Sequence, residues 1–307
     1  MLPCKLQIAA FLSLGLPGLA WAADPVAAAN FAGQGSTLLV AHEDNAALTA
    51  NPSVIALTRR YDIQAMGALG PSGGSGWGAS IVDNQTSPWL ALGFVYSGRR
   101  SEPALLDREL PAYRIPGEDV SNVRRRHDMT LALSGSMLER RLAVGVSGTL
   151  QLFNNDRDGD GAVGDLDVGI SGHATPWLVL GAAGRNLVPS WGGRDLPLAV
   201  GGGARVHTNR IAVGAQAEWL DQKADLPVNI SGGLDLPLGA VPRIRGGYRY
   251  EGKGQRQWLT TGVGFVGPDG SFDFSALLPL DEQISIGSVG WGMSMNLRGP
   301  VVETAPF

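Results

Sequence analysis

The chain has one cysteine, Cys4, and it lies within the first 22 residues. Lys5 supplies a positive start, Ile8 to Leu19 is a short apolar stretch, and Ala20-Trp21-Ala22 offers the small residues that signal peptidase reads. Residues 1–22 are therefore expected to be a secretory signal peptide, cut before Ala23. The apolar stretch is too short, and too interrupted by Gly15, Pro17 and Gly18, to span a membrane as a helix. A chain cut there keeps no cysteine, which excludes a small disulfide-stapled domain. Cys4 also lies too early to carry a lipid anchor after cleavage. Long apolar runs are missing as well. No window after Ala23 holds 18 consecutive apolar residues, so no spanning helix is expected. Net charge is only −4, too little to point to nucleic acid, and 44% hydrophobic residues argue against disorder.

Glycine is in excess. The 44 glycines are about twice the usual share, and they are scattered rather than periodic, which excludes collagen. Between them run segments of about ten residues with alternating polarity, the pattern of membrane strands. Fourteen begin near Tyr61, Gly76, Pro88, His127, Arg141, Asp165, Pro176, Asp195, Asn209, Leu226, Val241, Arg256, Ser271 and Ile284. Alternation is cleanest late in the chain. Ile211, Val213, Ala215, Ala217 and Trp219 share one face, opposite Arg210, Gln216 and Glu218. Val228, Ile230, Leu234 and Leu236 stand opposite Asn229, Ser231 and Asp235, and Ile244, Tyr248 and Tyr250 opposite Arg243, Arg245 and Arg249. The last strand sets Val289, Trp291, Met293, Met295 and Leu297 against Ser288, Ser294 and Asn296.

An apolar band opposite a charged ladder suits a lipid exterior and a polar lumen. A chain without spanning helices can cross a bilayer as a closed barrel, because closure satisfies every backbone group. Trp89, Tyr96, Trp177, Trp219, Tyr250 and Trp258 are expected to form interfacial girdles. Every second connection reads as a tight turn, such as Gly267-Pro268-Asp269-Gly270, while the longest (Gly98 to Arg126 and Asn154 to Gly164) fall on the other end. The fold class is therefore all-β: a closed antiparallel transmembrane β-barrel of about 14 strands in a Gram-negative outer membrane, with both mature termini periplasmic.

Asn51-Pro52 favours a turn, with Pro52 suited to the first position of a short helix. The stretch Ala46 to Leu57 containing it resembles the "NPA" segment of the FadL/PorV-type outer-membrane proteins. Leu178-Val179-Leu180-Gly181 leading to Arg185-Asn186-Leu187 is similar to a strand of the PorV side of that superfamily. Ser53 stands where Ala is usual and Val54 where Gly is common. The resemblance implies that residues 23–60 form a plug-like segment entering a barrel of residues 61–307. It also implies binding or passage of hydrophobic small molecules. The alternative it carries is a non-transporting, PorV-like scaffold for surface or secreted proteins, with a protein partner at the outer loops.

Other motifs carry chemistry of their own. Asp156, Asp158, Asp160, the carbonyl of Ala162 and Asp167 fit the spacing of a twelve-residue calcium loop around Gly161. Asp167 is shorter than the usual Glu, and a solvated acidic hairpin loop is the alternative. Glu218, Asp235, Arg243, Arg245 and Arg249 face the lumen and either line a passage or fill it as a salt-bridged network. Arg99, Arg100, Arg114, Arg124, Arg125 and Arg126 suggest a lid or a basic surface for lipid phosphates, or simply a solvated loop. No H-E-x-x-H or G-x-S-x-G is present, and Ser171 and His173 share a face without a third orienting group, so no enzyme is expected.

Overall fold

Strand β12 (Arg256–Gly267) shows how alternation becomes a wall. Leu259, Val263 and Phe265 are exposed on one face, while Trp258 and Thr260 are buried on the other. Successive Cβ atoms point to opposite sides of a strand, so one face of every strand meets the outside and the other the lumen. The structure, a computed structural model, describes residues 37–41, 44–69, 75–101, 124–155, 161–188, 197–221, 227–252, 256–280 and 289–299.

The remaining strands are β1 (Tyr61–Leu69), β2 (Ser75–Asp83), β3 (Leu90–Ser101), β4 (Arg124–Met137), β5 (Leu142–Asn155), β6 (Gly161–Thr175), β7 (Leu178–Arg185), β8 (Ala199–His207), β9 (Ala212–Leu220), β10 (Val228–Pro237), β11 (Pro242–Glu251), β13 (Gly270–Pro279) and β14 (Gly290–Arg298). Each pairs antiparallel with its neighbour in sequence, and β1 pairs with β14, so the fourteen strands close into one barrel. Closure gives every strand a paired neighbour on each side over at least part of its length. No helix among the described residues is long and apolar enough to cross a membrane.

The outer face is apolar. Leu92, Leu131 and Phe265 are 52%, 56% and 53% exposed. Apolar surface in water costs about 25 cal/mol per Å², so a belt of this extent calls for lipid around it. Trp77, Trp89, Trp177 and Trp219 are exposed in this belt or beside it. Trp258, expected with them, is turned into the lumen and is 5% exposed. The period of two that puts Leu259 outside forces its neighbour inside.

Two further expectations are corrected. Arg99, Arg100, Arg125 and Arg126 lie on paired stretches of β3 and β4 rather than in a loop; Arg114 is outside the described residues. The calcium loop also changes. Its second half is strand, because β6 pairs with β5 from Phe153↔Gly161 to Leu142↔Gly172. That ladder satisfies backbone groups that a loop would leave to solvent. Ala162 lies on the exposed face of β6, and Asp167 lies five residues further along, about 17 Å of extended chain. The Asp167 side chain is buried in the lumen, where it accepts from the Asn186 backbone N–H at 3.0 Å and the Ser147 hydroxyl at 3.3 Å. It cannot be the twelfth ligand of a compact cage. Asp156, Asp158 and Asp160 lie outside the described residues.

Candidate functional site

The segment before β1 folds inside the barrel as three short 3-10 turns, Leu38–Val40, Asn45–Thr49 and Pro52–Ala56. Between them they touch β1 through β9, so the segment lies across the lumen as a plug. Its apolar side chains (Leu39, Val40, Leu48, Val54 and Ile55) are almost wholly buried. Asn51 organises the third turn. Its Oδ1 accepts from the Ser53 backbone N–H at 3.2 Å and from the Ser53 hydroxyl at 2.6 Å. Its Nδ2 donates to the Leu39 carbonyl at 2.8 Å and to the Ser171 hydroxyl of β6 at 3.0 Å. Pro52, which cannot donate, accepts from the Ser134 hydroxyl of β4 at 2.6 Å through its carbonyl. Ser171, weighed as a nucleophile from sequence, is thus engaged with the plug.

The wall is thinned where these turns dock. Gly145 and Gly169 are register partners on β5 and β6. A Cβ at Gly145 would come within 2.7 Å of the Pro52 backbone, and one at Gly169 would collide with Asn51 Oδ1. On β7, a Cβ at Gly181 would come within 2.5 Å of the Leu39 carbonyl oxygen. These glycines admit a backbone that any side chain would exclude. At the turn end, the β4–β5 turn carries Leu138, Glu139 and Arg140 at φ 51°, 56° and 65°. Arg140 projects from it to donate to the Ala56 carbonyl at 3.3 Å and to Asn84 Oδ1 at 2.6 Å. Asn84 in turn donates to the carbonyls of Ile55 and Thr58, both at 2.8 Å.

Beyond the plug the lumen is charged. Arg245 is 4% exposed, and its guanidinium bridges Asp235 at 3.2 Å and Asp273. Arg243 also reaches Asp235 at 3.2 Å, Arg249 pairs with Glu251 at 2.9 Å, and Glu218 accepts from Arg185 Nε at 2.8 Å. Glu218, Asp235, Arg243, Arg245 and Arg249 thus stand at inward positions of β9, β10 and β11. Asp273 and Arg185 were not singled out from sequence, although each sits at an inward position of a strand with the same period.

Two hollows flank the wall near its loop end. Inside, a cavity of about 220 Å³ lies above Thr49 of the plug, lined by Arg126, Asp128, Gln151, Asp165 and Asp167 among others. Outside, an apolar hollow of about 490 Å³ is walled by Phe94, Leu131, Leu150 and Leu166 around Gly148 and Gly164. Thr149 and Asp165 line both. The wall is intact between these two residues, which are register partners, and is notched on the other side of β6. Strand pairing between β6 and β7 reaches only to Val168↔Gly184. Asn186, at φ 58°, turns the chain away, and Leu187 N–H bonds back to the Leu166 carbonyl at 2.9 Å. Asn186 borders the inner cavity and Val188 the outer hollow. Toward Gly161, β6 therefore has no strand on this side among the described residues.

No family model and no curated protein matches the chain in sequence. Its structure is similar to the toluene transporter TodX of Pseudomonas putida, at TM-score 0.61 and 14% identity over 92% of this chain and 98% of that one. It is similar to the toluene transporter TbuX of Ralstonia pickettii, at TM-score 0.61 and 14% identity over 89% and 98%. A FadL homologue of Pseudomonas aeruginosa matches at TM-score 0.61 and 11% identity over 88% and 97%. At these identities the likeness is one of fold. The chain has the FadL-type fold, a plugged fourteen-stranded barrel whose apolar belt belongs in the cell outer membrane.

Proposed function

We propose that this FadL-type barrel passes hydrophobic small molecules, and that they cross its wall at the notch beside β6 rather than travel straight through the lumen. One observation carries the reading: the inner cavity and the outer apolar hollow lie on opposite sides of the paired residues Thr149 and Asp165, next to the stretch of β6 that has no strand partner on its other side among the described residues. The plug supports it, since a latched segment across the lumen blocks the axial path. Two of the structurally similar proteins are named toluene transporters. A scaffold without transport is the second reading, favoured by the packed plug and the bridged charges around Arg245.

Filling the outer hollow separates the two. A Cβ at Gly148 would meet nothing nearer than the Asp165 carbonyl at 3.9 Å, so Gly148→Trp is accommodated in the wall while its ring occupies the hollow. Uptake of labelled toluene by cells carrying this variant is expected to fall several-fold, with the amount of folded barrel unchanged. Equal uptake through wild type, variant and an empty outer membrane would leave the scaffold reading.

A further inference from the structure

The inner cavity is poorly suited to a plain hydrocarbon, and its chemistry is that of an acceptor site. Gln151 is 6% exposed, and its Oε1 is buried with no hydrogen-bond partner among the described residues. Asp165 Oδ1 is likewise buried and meets no donor among the described residues, its carboxyl lying against that of Asp167. The neighbouring hydroxyls of Thr130 and Thr149 are bonded to each other at 3.0 Å. Arg126 Nε donates to Asp128 at 2.7 Å, and Arg185 Nε donates to Glu218 at 2.8 Å. Among the described residues that line the cavity, Asp128, Asp165 and Asp167 set three carboxyl groups against the guanidiniums of Arg126 and Arg185, and Arg185 is also bridged to Glu218. A buried acceptor without a donor is destabilising, and a ligand that supplies the donor recovers that loss. A cavity with excess carboxylate and idle acceptors therefore fits a cationic donor and repels an anion.

We propose that the cavity takes the ammonium head of an alkylammonium compound while its hydrocarbon chain lies in the outer hollow, through the notch between Asp165 and Asn186. This rests on passage at the notch and names the class of molecule that passes. The head would bond Gln151 Oε1 and Asp165 Oδ1. The chain would lie against Leu150 and Leu166, where the absent side chains of Gly148 and Gly164 leave room.

The test uses the full chain in lipid nanodiscs, with dodecylammonium, dodecanol and dodecanoate as probes of one chain length and toluene as a headless control. Dodecylammonium is expected to bind at least about tenfold more tightly than dodecanoate, the effect of one charge-assisted hydrogen bond. Asp165→Asn should abolish most of that preference while dodecanol still binds. Gln151→Leu should weaken dodecylammonium and dodecanol alike. The head-group proposal is overturned if dodecanoate binds as tightly as dodecylammonium, or if Asp165→Asn leaves their ratio unchanged. Toluene separates this failure from the larger one: if it binds and is taken up, passage stands and only the head chemistry is wrong. If none of the four associates above empty nanodiscs, passage at the notch fails too.

Discussion

Asn51 makes four hydrogen bonds with one side chain, two of them within its own turn and two to other segments. Asn51→Ala removes a helix cap and leaves the Leu39 carbonyl and Ser171 hydroxyl short of a donor. The expected loss is about 2–4 kcal/mol of plug docking, from about 1 kcal/mol for the cap and 1–3 for the buried groups. Amide hydrogen exchange across residues 45–57 measures it, and unchanged protection there would refute the latch. Asp44 is fully buried, and caps the second turn through the Ala46 backbone N–H at 2.8 Å. Burial pushes its pKa up to about 6 from 3.8, with Asp273 adding to the rise and Ala46, Arg60 and Gln64 opposing it. The folded plug holds this proton more tightly than the free segment. Its contribution is therefore fully present below pH 3.8 and is lost as pH rises through about 6. Protease protection of the plug should be greater at pH 4.5 than at pH 7.5, and Asp44→Asn should flatten that difference. A plug that loosens on acidification would contradict the assignment.

The strands tolerate what the plug does not. Gly169 sits in a regular ladder, where alanine would be harmless to the wall itself. The Asn51 carboxamide against it makes the position exacting. Gly169→Ala is expected to cost about 1–3 kcal/mol by overpacking, and to show it as a loosened plug in an intact barrel. A gel assay of folded barrel beside proteolysis of the N-terminal segment distinguishes the two; a fully protected plug would mean the neighbours yield. The Arg245 bridge makes a different demand. Arg245→Met leaves Asp235 and Asp273 facing each other without their shared cation, and should lower barrel stability by about 3–5 kcal/mol in urea titration. The double variant with Asp273→Asn should recover part of that loss. Much of this level was legible in sequence. The inward places of Asp235, Arg243 and Arg245 followed from a period of two. Their pairing with Asp273 did not, because it depends on which strands become neighbours around the wall.

For the molecule as a whole, the wall and the plug are separable. Every strand among the described residues begins at or after Tyr61, so deleting Asp24 to Thr49 removes two of the three plug turns and none of the described ladder. The variant barrel is expected to assemble and to admit more hydrophobic probe per folded molecule than wild type. Unchanged uptake by an assembled variant would mean that the plug is not what closes the axial path.

Alternation and turn chemistry, which are local, determined the strand number, the antiparallel order, the lipid face and the polar lumen. Asn51-Pro52 marked the plug for the same reason: a cap and a helix-starting proline act within a few residues. Only the tertiary structure decided the rest. It made Asp167 a lumenal strand residue rather than a loop ligand, because the β5 ladder reached Gly161. It brought Gly145, Gly169 and Gly181 under the plug. It also set Asp165 and Gln151, fourteen residues apart in sequence, into one cavity beyond the point where the described β6–β7 pairing ends. Such contacts arise from closure of the barrel and from where one strand pairing stops, and neither has a local signature.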